Sequence, residues 1–230
     1  MKKDPLALGV IFVAAALSAG LFAIFFWVPT EEFQGVVQRI FYVHAPSAWV
    51  AYLAFAVVLV GSLAYLRTSD KRWDLVAHAS AEVGVMFTGL ALVTGMLWGR
   101  PIWGAFWVWD PRLTLTLVLF VIYVGYLAFR STATDPDRGA RVAAVIGITG
   151  FAAVPLIHFS VDWWRGQHPG RTVFRPEDGP ALPEQMLITV AVMALAFTAL
   201  YAMLLVMRVR LLRLEDDVDR LEAALTPDVA

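Results

Sequence analysis

Six stretches of this chain run for 17 residues or more with almost no charge. A helix that crosses a membrane needs roughly 20 mostly apolar residues, because the hydrocarbon core is about 30 Å thick. Between Asp4 and Glu31 lie 26 uncharged residues, and between Arg39 and Arg67 lie 27. Leu75 to Trp98 holds one charge, Glu82, and Leu113 to Phe129 holds none. Arg141 to Asp162 encloses 20 uncharged residues, and Glu184 to Arg208 encloses 23. In lipid, only helices or closed barrels satisfy every backbone polar group. The runs lack the alternating polarity of barrel strands, so each is read as a helix. The first is too long for a signal-peptide core, and no small-residue cleavage site stands out after it, so it is read as a retained span.

Composition agrees with a membrane protein. Hydrophobic residues make up 60% and charged residues 16%, against about half and about a quarter in soluble domains. The formal net charge is −1, which offers no basic face for nucleic acid. There is no cysteine. Disulfides, iron–sulfur clusters, a cysteine nucleophile and haem attachment through C-x-x-C-H are therefore excluded.

Lysine and arginine counts set the expected orientation. With the N-terminus inside, the cytoplasmic segments carry twelve: Lys2, Lys3, Arg67, Lys71, Arg72, Arg130, Arg138, Arg141, Arg208, Arg210, Arg213 and Arg220. The outer segments carry six: Arg39, Arg100, Arg112, Arg165, Arg171 and Arg175. The expected fold is an all-α integral membrane protein with six transmembrane helices, both termini cytoplasmic and a tryptophan-rich outer loop. We read residues 1–230 as a single domain, without internal repeats. A short amphipathic cytoplasmic tail follows at about 208–225, where Leu211, Leu214, Val218, Leu221 and Leu225 recur at heptad spacing. Two heptads are too few to diagnose a partner.

Eight of the nine tryptophans fall at outer span ends or in outer loops, and only Trp73 lies inside. An aromatic belt anchors helices at both interfaces, so it accounts for Trp27, Trp49 and Trp73 but not for this asymmetry. The segment WGRPIWGAFWVWD places Trp98, Trp103, Trp107, Trp109 and Phe106 within 12 positions. Trp103 and Trp107 are four apart and would share a helix face. Gly99, Pro101 and Gly104 are expected to break long helix and allow close backbone approach. The result is a shallow aromatic platform suited to a large, flat, apolar ligand with polar ends. A sugar or a lipid headgroup could stack there too. Asp110 before Pro111 reads as an N-cap with proline at the first helical position. Arg100 and Arg112 flank the platform, and the planar fork of arginine fits carboxylates.

Four histidines complete the inventory. His78 lies near Glu82 at the inner end of the third span and reads as a satisfied hydrogen-bonding residue. His158 sits at the outer end of the fifth span. His44, in FYVHAPSAWV, and His168, in SVDWWRGQHPG, stand next to prolines on the outer side. Imidazole binds metals, and haem iron takes histidine axially. An aromatic ledge, arginines for carboxylates and two histidines on one face point to a bis-histidine haem site. On the residues alone the second ligand is either His158 or His168.

The stretch WGRPIWGAFWVWDPRLT resembles the tryptophan-rich "WWD" signature of haem-handling proteins in cytochrome c maturation. The six spans, the short length and the two histidine segments are similar to CcmC, the haem exporter protein C family, over about residues 6–207. The longer cytochrome c synthases of the superfamily carry extra intramembrane histidines. The resemblance implies haem b, held non-covalently and transiently. It sits on a site formed by Trp98, Gly99, Trp103, Gly104, Trp107, Trp109, Asp110 and Arg112. It also implies His44 and His168 as axial ligands of the haem iron, the second because it follows the paired Trp163 and Trp164. The implied role is delivery of haem to a membrane-anchored haem chaperone at a bacterial inner membrane, with the site on the periplasmic side. Implied partners are an ABC-type ATPase, a second membrane subunit and a small single-span subunit.

The expected mechanism needs no bond made by this chain, so the chain is read as a haem-delivery protein and not an enzyme. Arg100 and Arg112 are the first candidates for the propionates. Two exchangeable imidazoles on an open platform suit release better than a buried pocket. The rival readings are a structural membrane subunit of a transport complex and a transmembrane haem translocator. The second lacks the polar path a translocator needs, since Glu82 is the only acid clearly within a span.

Overall fold

The computed structural model describes residues 5–164, 166–168 and 182–225. Lys2, Lys3, Arg165, Arg171 and Arg175, used in the charge count above, lie outside the described residues, as does Pro169 beside His168. Among the described residues every named element is a helix, and six helical segments are long and apolar enough to cross a membrane. They run Leu6–Trp27, Val36–Thr68, Lys71–Trp103, Pro111–Thr132, Pro136–Trp163 and Glu184–Glu222. Each overlaps one uncharged interval of the sequence.

The helices are α1 (Pro5–Phe22), α2 (Phe41–Thr68), α3 (Lys71–Trp103), α4 (Pro111–Thr132), α5 (Pro136–Phe151), α6 (Ala153–Trp163) and α7 (Glu184–Leu225). A π-helical turn, Ala23–Trp27, extends α1, and a 3-10 turn, Val36–Ile40, leads into α2. Helix starts are marked by aspartates whose carboxylates accept the otherwise unpaired first N–H groups. Asp70 accepts from Arg72 N at 2.9 Å. Asp110 accepts from Arg112 N at 2.9 Å, and Asp135 from Asp137 N at 3.0 Å and Arg138 N at 3.1 Å. Pro111 and Pro136 follow their caps at the first helical position, where a missing N–H costs nothing.

The fifth span is two helices. Pro155 has no N–H to offer the carbonyl four residues back, and the helix breaks at Ala152, whose N–H turns to Thr149 O at 3.2 Å. The opposite happens at the sixth span. α7 continues unbroken for 42 residues, about 63 Å at 1.5 Å per residue, roughly twice the hydrocarbon thickness. The amphipathic tail is thus the continuation of a membrane helix. Leu212 and Val209 pack on Ala79, while Leu214, Val218 and Leu221 stay exposed.

α2 is the central helix. It pairs most extensively with α3 and also packs on α5 and α7. Lipid removes the usual hydrophobic drive for helix association, so small residues and polar contacts carry it. A Cβ on Gly84 would come within 2.7 Å of the Phe55 ring, and one on Gly147 within 2.8 Å of Val58. Phe55 stacks on Tyr123 with centroids 3.8 Å apart, and the Tyr123 hydroxyl donates to Gly147 O at 2.8 Å. Ser80 joins three helices through Ala54 O and the Tyr201 hydroxyl, each at 2.8 Å.

The charged groups gather at the end of the bundle that holds Trp73. Arg130 grips Asp74 through two hydrogen bonds of 2.7 and 2.9 Å. Arg208 pairs with Glu82 through two more, one of them 2.9 Å, and His78 lies 3.6 Å from the same carboxylate. Glu82 is therefore one member of an ion network linking α3 to α7. A cavity of about 230 Å³ opens here, lined by Asp74, His78, Arg130 and Asp137 among others. The other end, at the close of α1, α3 and α6 and the start of α2, α4 and α7, carries the remaining tryptophans.

Candidate haem-handling site

α3 does not stop at Gly99 or Pro101, contrary to the sequence expectation. It carries both inside its last turns and ends after Trp103. A proline near a helix C-terminus removes one bond, and the surrounding packing tolerates it. Gly104 ends the helix instead. Its φ of 77° lies in the left-handed region, and its N–H returns to Arg100 O at 3.1 Å. Trp103 is therefore helical and Trp107 is not, so the two do not share a helix face. Gly99 does provide a close approach: a Cβ there would sit 2.8 Å from the Trp103 ring.

The aromatic segment divides into an inward and an outward part. Trp98 turns inward, with its ring 5.9 Å from Phe41 and 5.7 Å from His44, nearly edge-on to the imidazole. Its indole N–H donates to Gln34 Oε1 at 2.9 Å. Gln34 is presented by the 28–35 connection, where Glu31 accepts the N–H groups of Phe33 and Gln34. Nothing in the sequence marked Gln34. Trp109 turns outward and is 78% exposed, with Trp107 edge-on to it at 5.7 Å. Trp163 stacks on Phe159 at 5.5 Å and meets Trp164 at 5.9 Å. The exposed aromatics form a rim around the start of α4.

His44 stands in the first turn of α2, and Pro46 lies inside that helix instead of in a turn. The imidazole Nδ1 is 3.0 Å from Ala91 O and 3.2 Å from Thr94 Oγ1. A carbonyl only accepts, so Nδ1 carries the hydrogen and Nε2 of the neutral ring keeps its lone pair. A second contact of this kind is how proteins orient a ligating histidine. Gly95 makes room, since a Cβ there would be 3.0 Å from His44 Cε1.

Asp110 caps α4, as its sequence context predicts, and does more. It is 6% exposed. Its second oxygen accepts the backbone N–H groups of Gln167 at 2.8 Å and His168 at 3.2 Å. A Cβ on Gly166 would overlap this carboxylate. One side chain thus fixes both the start of α4 and the turn that carries His168. Arg112 reaches the same turn. It donates through Nε to Ile157 O at 3.3 Å, through Nη2 to His158 O at 3.1 Å, and through Nη1 to His168 Nδ1 at 3.4 Å. The His158 side chain is exposed against Phe159; its carbonyl is what meets Arg112.

The two arginines expected to meet propionates are engaged within the protein. Three of Arg112's five N–H donors are taken as described. Arg100 donates to Gly104 O at 2.7 Å and lies over the Phe106 ring at 5.6 Å. Two other donors are buried with no acceptor among the described residues: Arg39 Nε and Trp107 Nε1. Arg39 lies five residues before His44, over the Phe25 ring at 5.8 Å. Only its place beside the FYVHAPSAW segment marked it in the sequence.

The crevice between Asp110, Ser160, Trp164 and His168 has a volume of about 10 Å³, enough for about one water. A lone pair held ready at His44, the His168 imidazole held on Arg112, orphaned donors and exposed aromatics fit a flat metalloporphyrin resting on a surface.

The family model for heme exporter protein C, CcmC, matches residues 3–224. Three bacterial proteins named "Heme exporter protein C" are similar. The one from Bradyrhizobium diazoefficiens is 43% identical over 76% of this chain and 66% of its own length. The one from Haemophilus influenzae is 38% identical over 84% of this chain and 78% of its own. The one from Escherichia coli K12 is 36% identical over 81% and 74%. The match to the first thus spans just under two thirds of that relative. On the family match across nearly the whole chain, this protein belongs to the heme exporter protein C family, CcmC.

Proposed function

We propose that this chain binds haem b, non-covalently and transiently, at its tryptophan-rich end and delivers it to a membrane-anchored haem chaperone during cytochrome c biogenesis. His44 and His168 supply the axial nitrogens. The exposed aromatics beside Trp109 support one porphyrin face and exclude water from it. The buried N–H groups of Arg39 and Trp107 receive the propionate ends, in place of Arg100 and Arg112. The chain makes and breaks no covalent bond, and its work is orientation and release.

The observation that carries this reading is the His44 contact. A histidine whose Nδ1 is tied to a backbone carbonyl, with Nε2 left as an acceptor beside an aromatic wall, is arranged as a metal ligand. The charge bias of the sequence supports an outward-facing site, and the location proposed is the periplasmic face of a bacterial inner membrane. Membership of this family implies further subunits, and the partners proposed are an ABC-type ATPase, a second membrane subunit and a small single-span subunit.

The test is the absorbance spectrum of the purified full-length chain. Protein from haem-replete cells should carry a six-coordinate haem spectrum. His44→Ala and His168→Ala should each change it, and the double variant should abolish it along with chaperone loading. An unchanged spectrum in the double variant would remove both residues from the iron.

A further inference from the structure

The two histidines are held in opposite senses, and this bears on how a bound haem leaves; the inference rests on the haem-binding reading above. His44 Nδ1 faces the Ala91 carbonyl at 3.0 Å, so its neutral ring offers Nε2 as a lone pair with nothing to rearrange. His168 Nδ1 faces the Arg112 guanidinium at 3.4 Å. A guanidinium only donates, so here Nδ1 is the acceptor, and the neutral ring carries its hydrogen on Nε2. His168 therefore meets iron only after a change. Through Nε2 it must move its hydrogen to Nδ1 and give up the guanidinium. Through Nδ1 it must displace the guanidinium directly. His44 gives up nothing.

Their supports differ as well. His44 belongs to a helix packed along α3, braced by the Trp98 edge at 5.7 Å. His168 belongs to a turn whose backbone N–H hangs on Asp110 at 3.2 Å, and Gln167 hangs on the same oxygen. Arg112 itself is anchored on two α6 carbonyls, Ile157 O and His158 O. Its third contact is thus a fixed place to which the His168 ring can return.

We infer that His44 is the standing iron ligand and His168 the exchangeable one, with Arg112 as the positioning residue that accepts the His168 ring when it leaves the iron. The iron face on the His168 side opens first at delivery and closes last at loading.

Carbon monoxide reads this directly, because it takes the place of whichever ligand leaves ferrous iron. The full-length chain is loaded with haemin, reduced with dithionite and exposed to carbon monoxide, as wild type, His168→Ala and His44→Ala. The adduct is followed by visible absorbance and by the iron–carbon stretch in resonance Raman. The wild-type adduct should coincide with that of His168→Ala and differ from that of His44→Ala. Should His44→Ala fail to retain haem while His168→Ala keeps a five-coordinate haem, the assignment of the standing ligand is equally supported. Arg112→Met should slow carbon monoxide binding several-fold, because the open ring has lost its resting partner, and Arg112→Lys should restore most of the rate. A wild-type adduct matching that of His44→Ala, or an Arg112→Met rate equal to wild type, overturns the ordering while leaving the haem site intact. A chain that takes up no haem overturns the haem-binding reading, and the ordering with it.

Discussion

A carboxylate oxygen of Asp110 accepts the backbone N–H of His168 at 3.2 Å, across 58 residues of sequence. The other oxygen caps α4 through Arg112 N at 2.9 Å. The helix start and the histidine turn are therefore set by the two oxygens of one group.

Replacing Asp110 by asparagine should separate these roles. The amide oxygen can still cap α4, but the amide NH₂ then faces two N–H donors, Gln167 and His168. A buried donor left against donors costs about 1–3 kcal/mol. The expected outcome is a modest loss of thermal stability with conversion of a six-coordinate haem spectrum to a five-coordinate one. Exogenous imidazole should restore six-coordination. Retention of the wild-type spectrum would show that Asp110 does not set His168.

Gly166→Ala probes the same contact from the other side. Its Cβ would overlap the Asp110 carboxylate, so the turn must shift. The spectrum should change as in Asp110→Asn, while α4, capped by the other Asp110 oxygen, keeps its helical content by circular dichroism.

Gly95→Val bears on the first ligand. A Cβ already comes to 3.0 Å from His44 Cε1, and the two added methyls push the ring from Ala91 O. Haem retained through purification should fall sharply, whereas Gly125→Val, at a position with open space, should leave it unchanged.

Arg39→Gln addresses the orphaned donors. The variant removes a buried Nε without a partner among the described residues, so stability should change little. Haem retention should drop. Haem with esterified propionates should bind wild type and variant alike, and a difference between them would locate the propionates elsewhere.

Asp74→Asn at the opposite end supplies the contrast. It leaves Arg130, whose side chain is 14% exposed, without its carboxylate, and breaking such a buried pair costs about 3–5 kcal/mol. The unfolding temperature in detergent should fall, and the haem spectrum of the folded fraction should stay as in wild type.

The sequence by itself determined the membrane spans, their number and the end at which the aromatics collect. Those features depend on runs of uncharged residues about as long as the bilayer is thick, and such runs are local. It also marked the Asp110 cap, because an aspartate before Pro111 acts within its own turn. It misjudged Gly99 and Pro101, since whether a helix tolerates a proline in its last turn depends on what packs around it. What Asp110 and Arg112 hold and which nitrogen His44 presents were decided only in three dimensions. Each rests on hydrogen bonds that join α2 to α3, or α4 to α6 and the turn beyond it, tens of residues apart in the chain. No local pattern encodes a partner that distant; the folded bundle supplies it.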